Sequence, residues 1–117
     1  MKQQSVLEDL KRSLHEFAEA RDWEQFHAPK NLAMALIVEA AELVEHFQWL
    51  TAEQSGNLPP QQMHEVRLEM ADILIYLIRL ADRLGVDLEA AVREKITIND
   101  KRYPADQVRG KADKAKS

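Results

Sequence analysis

Apolar residues recur along this chain at intervals of three and four, the spacing of one face of an α-helix. Val6, Leu10, Leu14 and Phe17 make the first such run, and Ser5 followed by Glu8 is a capping-box pattern at its start. The run fades near Asp22. Residues 23–29, from Trp23 to Pro29, hold no clean period and read as an ordered loop. Asn31 is a candidate cap for a second helix over residues 32–50. Residues 55–60 form a linker, and Pro60 suits the start of a third helix over residues 61–84, with Gly85 as its stop. Asp87 caps a fourth helix from Leu88 to about residue 102, ended by Pro104. The small, polar, lysine-bearing stretch that follows is expected to be disordered. The pattern predicts one all-α domain over residues 1–104 and a basic tail over 105–117.

The apolar faces of the two middle helices are wide. Leu32, Ala33, Leu36, Ile37, Ala40, Val44 and Phe47 mark the first, and Met70, Ile73, Leu74, Leu77, Ile78 and Leu80 the second. A single short bundle does not hide that much apolar surface, so the expectation is a four-to-five-helix bundle completed by homo-oligomerisation.

Composition narrows the chemistry. The 117 residues hold 45% hydrophobic and 31% charged residues, a soluble globular balance. With only 3 Gly and 4 Pro, long helices are favoured over a turn-rich sandwich. The absence of Cys excludes disulfides, zinc-thiolate sites, iron–sulfur clusters and cysteine nucleophiles, and suits a reducing cytoplasm. A net charge of −4 argues against binding a nucleic-acid backbone. No apolar run is long enough to span a bilayer, and the amphipathic N-terminus has no signal-peptide core.

Acids sit where a core is expected. At about 3.6 residues per turn, Ala35, Glu39, Glu42, His46 and Trp49 share a stripe of the second helix. Glu65, Glu69, Asp72, Tyr76 and Arg79 share one on the third. Glu39 and Glu42, and Glu69 and Asp72, are therefore pairs of carboxylates one turn apart, each flanked by long apolar stretches. Helical acids are usually solvated, and one such pair alone would be read that way. Two matching pairs favour a shared cleft. Four carboxylates cannot all stay ionised in apolar surroundings. They must take up protons, pair with Arg or Lys, or bind a hard divalent cation such as Mg²⁺, Mn²⁺ or Ca²⁺. Glu45 is equally a base that orients water and a surface residue. A di-iron bundle would need an inward Glu-x-x-His on each of two helices, and the only such spacing here, Glu24 to His27, lies in the loop.

On the fourth helix, Lys95, Asn99 and Arg102 share one face, with Tyr103 following; this suits a polyphosphate, and equally complements the helix dipole. Trp23, Trp49 and Tyr76 suit stacking on a nucleobase, whereas Phe26 and Phe47 read as core. His27 either bonds a base or sugar or orders its loop. His15 and His64 read as surface residues, and His46 is unexpected on the acid stripe.

Together these residues carry a resemblance. Glu39-x-x-Glu42 followed by Glu69-x-x-Asp72 resembles the signature of the MazG-like all-α nucleoside triphosphate pyrophosphohydrolases. The stretches RDWEQFHAPKNL, EAAELVEHFQW, EMADILIYLIRLA and the one around ITIND and KRYP are similar to the dCTP pyrophosphatase branch, over nearly all of residues 5–104. The resemblance implies Mg²⁺, or Mn²⁺ in its place, on Glu39, Glu42, Glu69 and Asp72. It places Trp23, Glu24, Gln25, Phe26, His27, Trp49 and Tyr76 around the nucleoside, and Lys95, Asn99, Arg102 and Tyr103 at the phosphates. It implies hydrolysis of a nucleoside triphosphate to monophosphate and pyrophosphate, within a tetramer built as a dimer of dimers. One departure is Leu14, which stands where relatives carry a substrate-contacting His, with His15 displaced by one. In the expected reaction Glu42 or Glu45 orients the water, and Lys95 and Arg102 stabilise the leaving pyrophosphate. The alternatives are a general house-cleaning hydrolase without cytidine preference, and a non-catalytic helical scaffold.

Overall fold

The computed structural model describes residues 5–112, which form six helices and contain no strand. They fall into two compact units, one ending at Gly85 and one beginning at Val86.

In the first unit, α1 runs Val6–Ala20. Ser5 caps it by accepting a hydrogen bond from the Glu8 amide at 3.1 Å. The reciprocal arm of the expected capping box is not made, because the Glu8 carboxylate pairs with Lys11 at 3.0 Å. The chain leaves α1 through Asp22, whose φ of 54° lies in the left-handed region that Asp tolerates better than most residues. A single 3₁₀ turn, Glu24–Phe26, orders the loop that follows.

Helix α2 spans Pro29–Glu45, shifted from the expected 32–50 at both ends. Pro29 lies in the first turn, where its fixed φ is already helical and its missing N–H is no loss. Asn31 is therefore inside the helix, and its side chain donates back to the Phe26 carbonyl at 3.3 Å instead of capping. Beyond Glu45 the chain turns through His46–Trp49. A short helix, α3 (Ala52–Ser55), then starts on a full capping box between Thr51 and Gln54. This helix occupies part of what read as linker. Gln62 donates to the His46 carbonyl at 3.0 Å, which ties the end of α2 to the start of the next helix.

That helix, α4 (Pro60–Leu84), begins at Pro60 as expected and stops at Gly85, whose φ of 70° needs the freedom of glycine. Packing within the unit is dominated by α2 against α4, with α1 also on α4. The buried core is small: Ala18, Leu32, Val66, Ile78 and Ala81. Large apolar side chains stay open on both main helices, among them Ile37 at 65% and Met70 at 57% exposure.

In the second unit, α5 spans Leu88–Arg102, and its Asp87 cap accepts from the Ala90 amide at 3.0 Å. The expected tail opens with one more helical turn, α6 (Ala105–Val108), because Pro104 restarts a helix after ending one. Residues 113–117 lie outside the described residues, so the expectation of disorder there is not addressed.

Leu32 is the largest fully buried side chain, at 2% exposure. Leu32→Ala is expected to cost about 2–5 kcal/mol through lost transfer energy and a cavity between α2 and its neighbours. Urea unfolding of the variant against the parent chain measures it; a loss below 1 kcal/mol, roughly, would show that the small core does not carry the fold.

Candidate functional site

The α2–α4 packing sets acid against acid. One carboxylate oxygen from each of Glu39, Glu69 and Asp72 lies within 4.8 Å of the others. Glu39 and Glu69 are half-buried and Asp72 is exposed. Glu69 Oε2 is fully buried and accepts no hydrogen bond, alone in this among buried side-chain atoms of the described residues. A buried oxygen with no partner is costly, most of all on a charged group. Glu39 shows the strain: its hydrogen bond to Glu69, its burial, and the charges of Glu69 and Asp72 all hold its carboxyl above the ordinary glutamate range. A hydrogen bond with Glu42 acts the other way. Crowding by like charges thus makes the Glu39 carboxyl give up its proton less readily than an isolated glutamate.

The donor set fits a hard divalent cation. All donors are carboxylate oxygens, they converge, and one of them is orphaned. Glu42, the fourth expected ligand, does not join the triangle; it lies one turn on along α2 and engages Glu39.

Glu39 and Asp72 also line a cavity of about 310 Å³. Its remaining wall comes from Leu14, Phe17 and Ala18 on α1, Trp23 and His27 beside the 3₁₀ turn, and Ile75, Tyr76 and Arg79 on α4. Trp23 packs edge-on against Phe17 with ring centroids 5.6 Å apart, and lies 6.4 Å from the His27 ring. Three of the expected nucleoside contacts, Trp23, His27 and Tyr76, therefore share one hollow with two of the acids. So does Leu14, the residue that departs from the resemblance.

In the wall of that hollow is a buried cation to which the sequence pattern alone assigns no role. Arg79 is only 2% exposed, and each arm of its guanidinium has a different anchor. Nη2 donates to Glu24 at 2.6 Å, Nη1 to Asp82 at 3.0 Å and Nε to His27 Nδ1 at 3.3 Å. Arg83 reaches the other Glu24 oxygen at 2.9 Å. Burial pushes the Glu24 carboxyl up, but the charge and hydrogen bond of Arg79, with His15 and Arg83, bring it below its ordinary range. Burial and the Arg79 charge hold the His27 imidazole below its ordinary range; Arg83 adds to this and Glu24 opposes it. His15 is exposed, as expected, and lies 3.1 Å from Glu19, 3.5 Å from Glu24 and 3.7 Å from Asp82. Arg79 is legible as a charge on an otherwise apolar stretch of α4, and Asp82 lies one turn on, but its other two partners, Glu24 and His27, are more than fifty positions away in sequence.

Within the first unit, other candidates do not line the hollow. Gln25 folds back onto Asp22, bonding its carbonyl at 2.9 Å and its carboxylate at 3.1 Å. Phe26 is exposed instead of core, and Trp49 is 87% exposed on the turn after α2, off the stripe projected for a longer helix. Glu45 is the exposed last residue of α2, and His46 caps that helix. Lys95, Asn99 and Arg102 lie on exposed positions of α5 in the second unit. Tyr103 caps α5 through its amide, which donates to the Asn99 carbonyl at 2.8 Å, and Arg102 sits 5.7 Å from the Tyr103 ring.

Comparison with known proteins agrees with this architecture. Residues 34–116 match the model of the MazG-like family. The chain is 47% identical over 111 residues to dCTP pyrophosphatase 1 of Homo sapiens, covering 93% of this chain and 65% of that protein. It is 48% identical over 109 residues to dCTP pyrophosphatase 1 of Bos taurus, covering 92% and 64% respectively. The chain thus spans a little under two thirds of the length of these relatives. Its fold matches the crystal structure of a pyrophosphatase from Archaeoglobus fulgidus with a TM-score of 0.82 and 36% identity, over 89% of this chain and 97% of that one. The chain belongs to the MazG-like family.

Proposed function

We propose that this chain hydrolyses a deoxynucleoside triphosphate, with dCTP or a modified dCTP as substrate, to the monophosphate and pyrophosphate in a magnesium-dependent reaction. One observation carries the reading: Glu39, Glu69 and Asp72 converge with one oxygen orphaned, and two of them, Glu39 and Asp72, also line the hollow that holds Trp23, His27 and Tyr76. A triphosphate needs a divalent cation and a nucleoside needs aromatic walls, and here the two are adjacent. Curated relatives named for dCTP support the choice of base.

In this reading Glu39, Glu69 and Asp72 hold Mg²⁺, with Glu42 beside Glu39 completing the set. When bound, the ion would polarise the phosphate oxygens and lower the pKa of a water. Glu42 or Glu45 orients the attacking water and takes its proton. Trp23 and Tyr76 hold the nucleoside, with Glu24, Gln25, Phe26 and Trp49 contributing around it. Lys95, Asn99, Arg102 and Tyr103 are assigned to the phosphates, with Lys95 and Arg102 stabilising the leaving pyrophosphate. Water is consumed, one phosphoanhydride breaks, and monophosphate and pyrophosphate leave. The biological role is sanitation of the cytoplasmic nucleotide pool.

The open apolar side chains of α2 and α4, Met34, Ile37, Val38, Met70 and Leu74 among them, support a homo-oligomer, read here as a tetramer. Light scattering during gel filtration is expected to give four times the chain mass; a monodisperse monomer would remove this part of the proposal.

Pyrophosphate release from a panel of nucleoside triphosphates with Mg²⁺ tests the reaction. dCTP is expected to lead the panel, and Glu69→Gln to lower turnover by at least about a thousandfold while leaving the metal-free chain as stable or more so. Equal rates across bases would point to a generalist, and no release from any of them would end the enzyme reading.

Metal and pH are linked through Glu39. Its carboxyl titrates above the ordinary range in the fold, so the metal-free fold binds more protons there than the unfolded chain. That contribution to stability is present below the ordinary glutamate range and is lost as pH rises through the raised folded value. Magnesium replaces the proton, so the rise in Tm on adding Mg²⁺ is expected to be larger at pH 8 than at pH 5. Thermal melts at both pH values check the sign; an equal or smaller shift at pH 8 contradicts it.

A further inference from the structure

Arg79 is anchored as few surface-derived arginines are. One planar guanidinium meets a carboxylate on the 3₁₀ turn, a carboxylate on its own helix and an imidazole, through Nη2, Nη1 and Nε respectively. Three anchors at different corners fix the plane of the fork, and burial removes water as a competitor. Guanidinium nitrogens donate and do not accept. The His27 nitrogen facing Arg79 must therefore be the acceptor, so Nδ1 carries no hydrogen.

We propose that Arg79 is a positioning residue that locks His27 in one neutral tautomer, with its hydrogen on Nε2, so that the hollow offers a fixed donor to a lone-pair acceptor on the nucleobase. The inference rests on the proposed function and deepens it by naming what selects the base. Aromatic walls such as Trp23 and Tyr76 accept any base by stacking. Selection needs a group that cannot change its hydrogen-bonding sense. A pyrimidine such as cytosine presents a bare ring nitrogen beside its carbonyl, whereas uracil and thymine present an N–H at that ring position. A ring that only donates favours the first.

The surroundings maintain the lock. From α4, Arg79 meets both His27 and Glu24, Arg83 meets Glu24 and Asp82 meets Arg79, while His15 approaches Glu24 and Asp82 from α1. A second proton on His27 would have to sit on Nδ1, pointing at the Nε–H of Arg79. Burial and the Arg79 charge both oppose it, and they outweigh the opposite pull of Glu24.

Long-range proton–nitrogen NMR on the full chain labelled with ¹⁵N-histidine reads the tautomer without any nucleotide. The expected spectrum shows His27 with its hydrogen on Nε2, taking up a second proton only at a pH below the ordinary imidazole value. A hydrogen on Nδ1, or protonation at or above that value, overturns the proposal. Arg79→Lys keeps a cation for Glu24 and Asp82 but loses the fork. It is expected to let His27 exchange between tautomers and to lower the preference for dCTP over dTTP, as the ratio of kcat/KM, about tenfold, chiefly through KM. A purely structural role would lower both rates together and leave that ratio unchanged, which also overturns the proposal. If Arg79→Lys fails to fold, the double variant Glu24→Gln with Arg79→Met removes both charges and takes the same measurements. A chain that hydrolyses no nucleotide ends the proposed function, and with it the selecting role, whatever the spectrum shows.

Discussion

Repulsion between carboxylates across the α2–α4 contact is the constraint around which this molecule is arranged. The two helices pack because their apolar faces demand it, and that packing forces Glu39 against Glu69 and Asp72. The cost appears in two places, an orphaned Glu69 oxygen and a Glu39 carboxyl pushed above its ordinary range. Neither would survive in a fold optimised for stability alone, since replacing a strained buried acid with a neutral isostere usually relieves it. The strain marks a set of donors suited to a hard divalent cation, and Glu39 and Asp72 also line the adjoining cavity.

Electrostatics in the rest of the first unit keep the opposite charge separate. Arg79 is buried close to the acids, yet its arms go to Glu24, Asp82 and His27. The hollow is thus bounded by an anionic end and a neutralised, donor-rich end. A ligand with a charged head and a polar aromatic group meets a suitable surface at each.

Much of this was legible in the chain. The ends of α4 and α5 follow from Pro60, Gly85 and Asp87, residues whose backbone preferences act locally and need no tertiary help. The pairing of the acids followed from helical spacing and apolar flanks. What was not legible depended on competition or distance. Asn31 reads as a cap only until Pro29 is allowed to start the helix first. The extent of α2 was overread because apolar residues continue through Phe47, while the Thr51–Gln54 capping box that restarts the chain lay unused in the sequence. Trp49 moved off the acid stripe as a result. Two of the three partners of Arg79, Glu24 and His27, come from a loop far upstream, and no local pattern encodes them. The resemblance named several residues that line the hollow, but not the cation in its wall that holds His27.

The threefold anchoring of Arg79 has an evolutionary consequence. One side chain neutralises Glu24, secures α4 to the loop and sets the hydrogen on His27, so these properties cannot drift independently. A lineage moving toward another base would have to alter Arg79, Glu24 and His27 in concert, passing through intermediates that are less stable than either end. Such a chain is expected to diverge freely over its outer helical faces while its recognition machinery stays frozen.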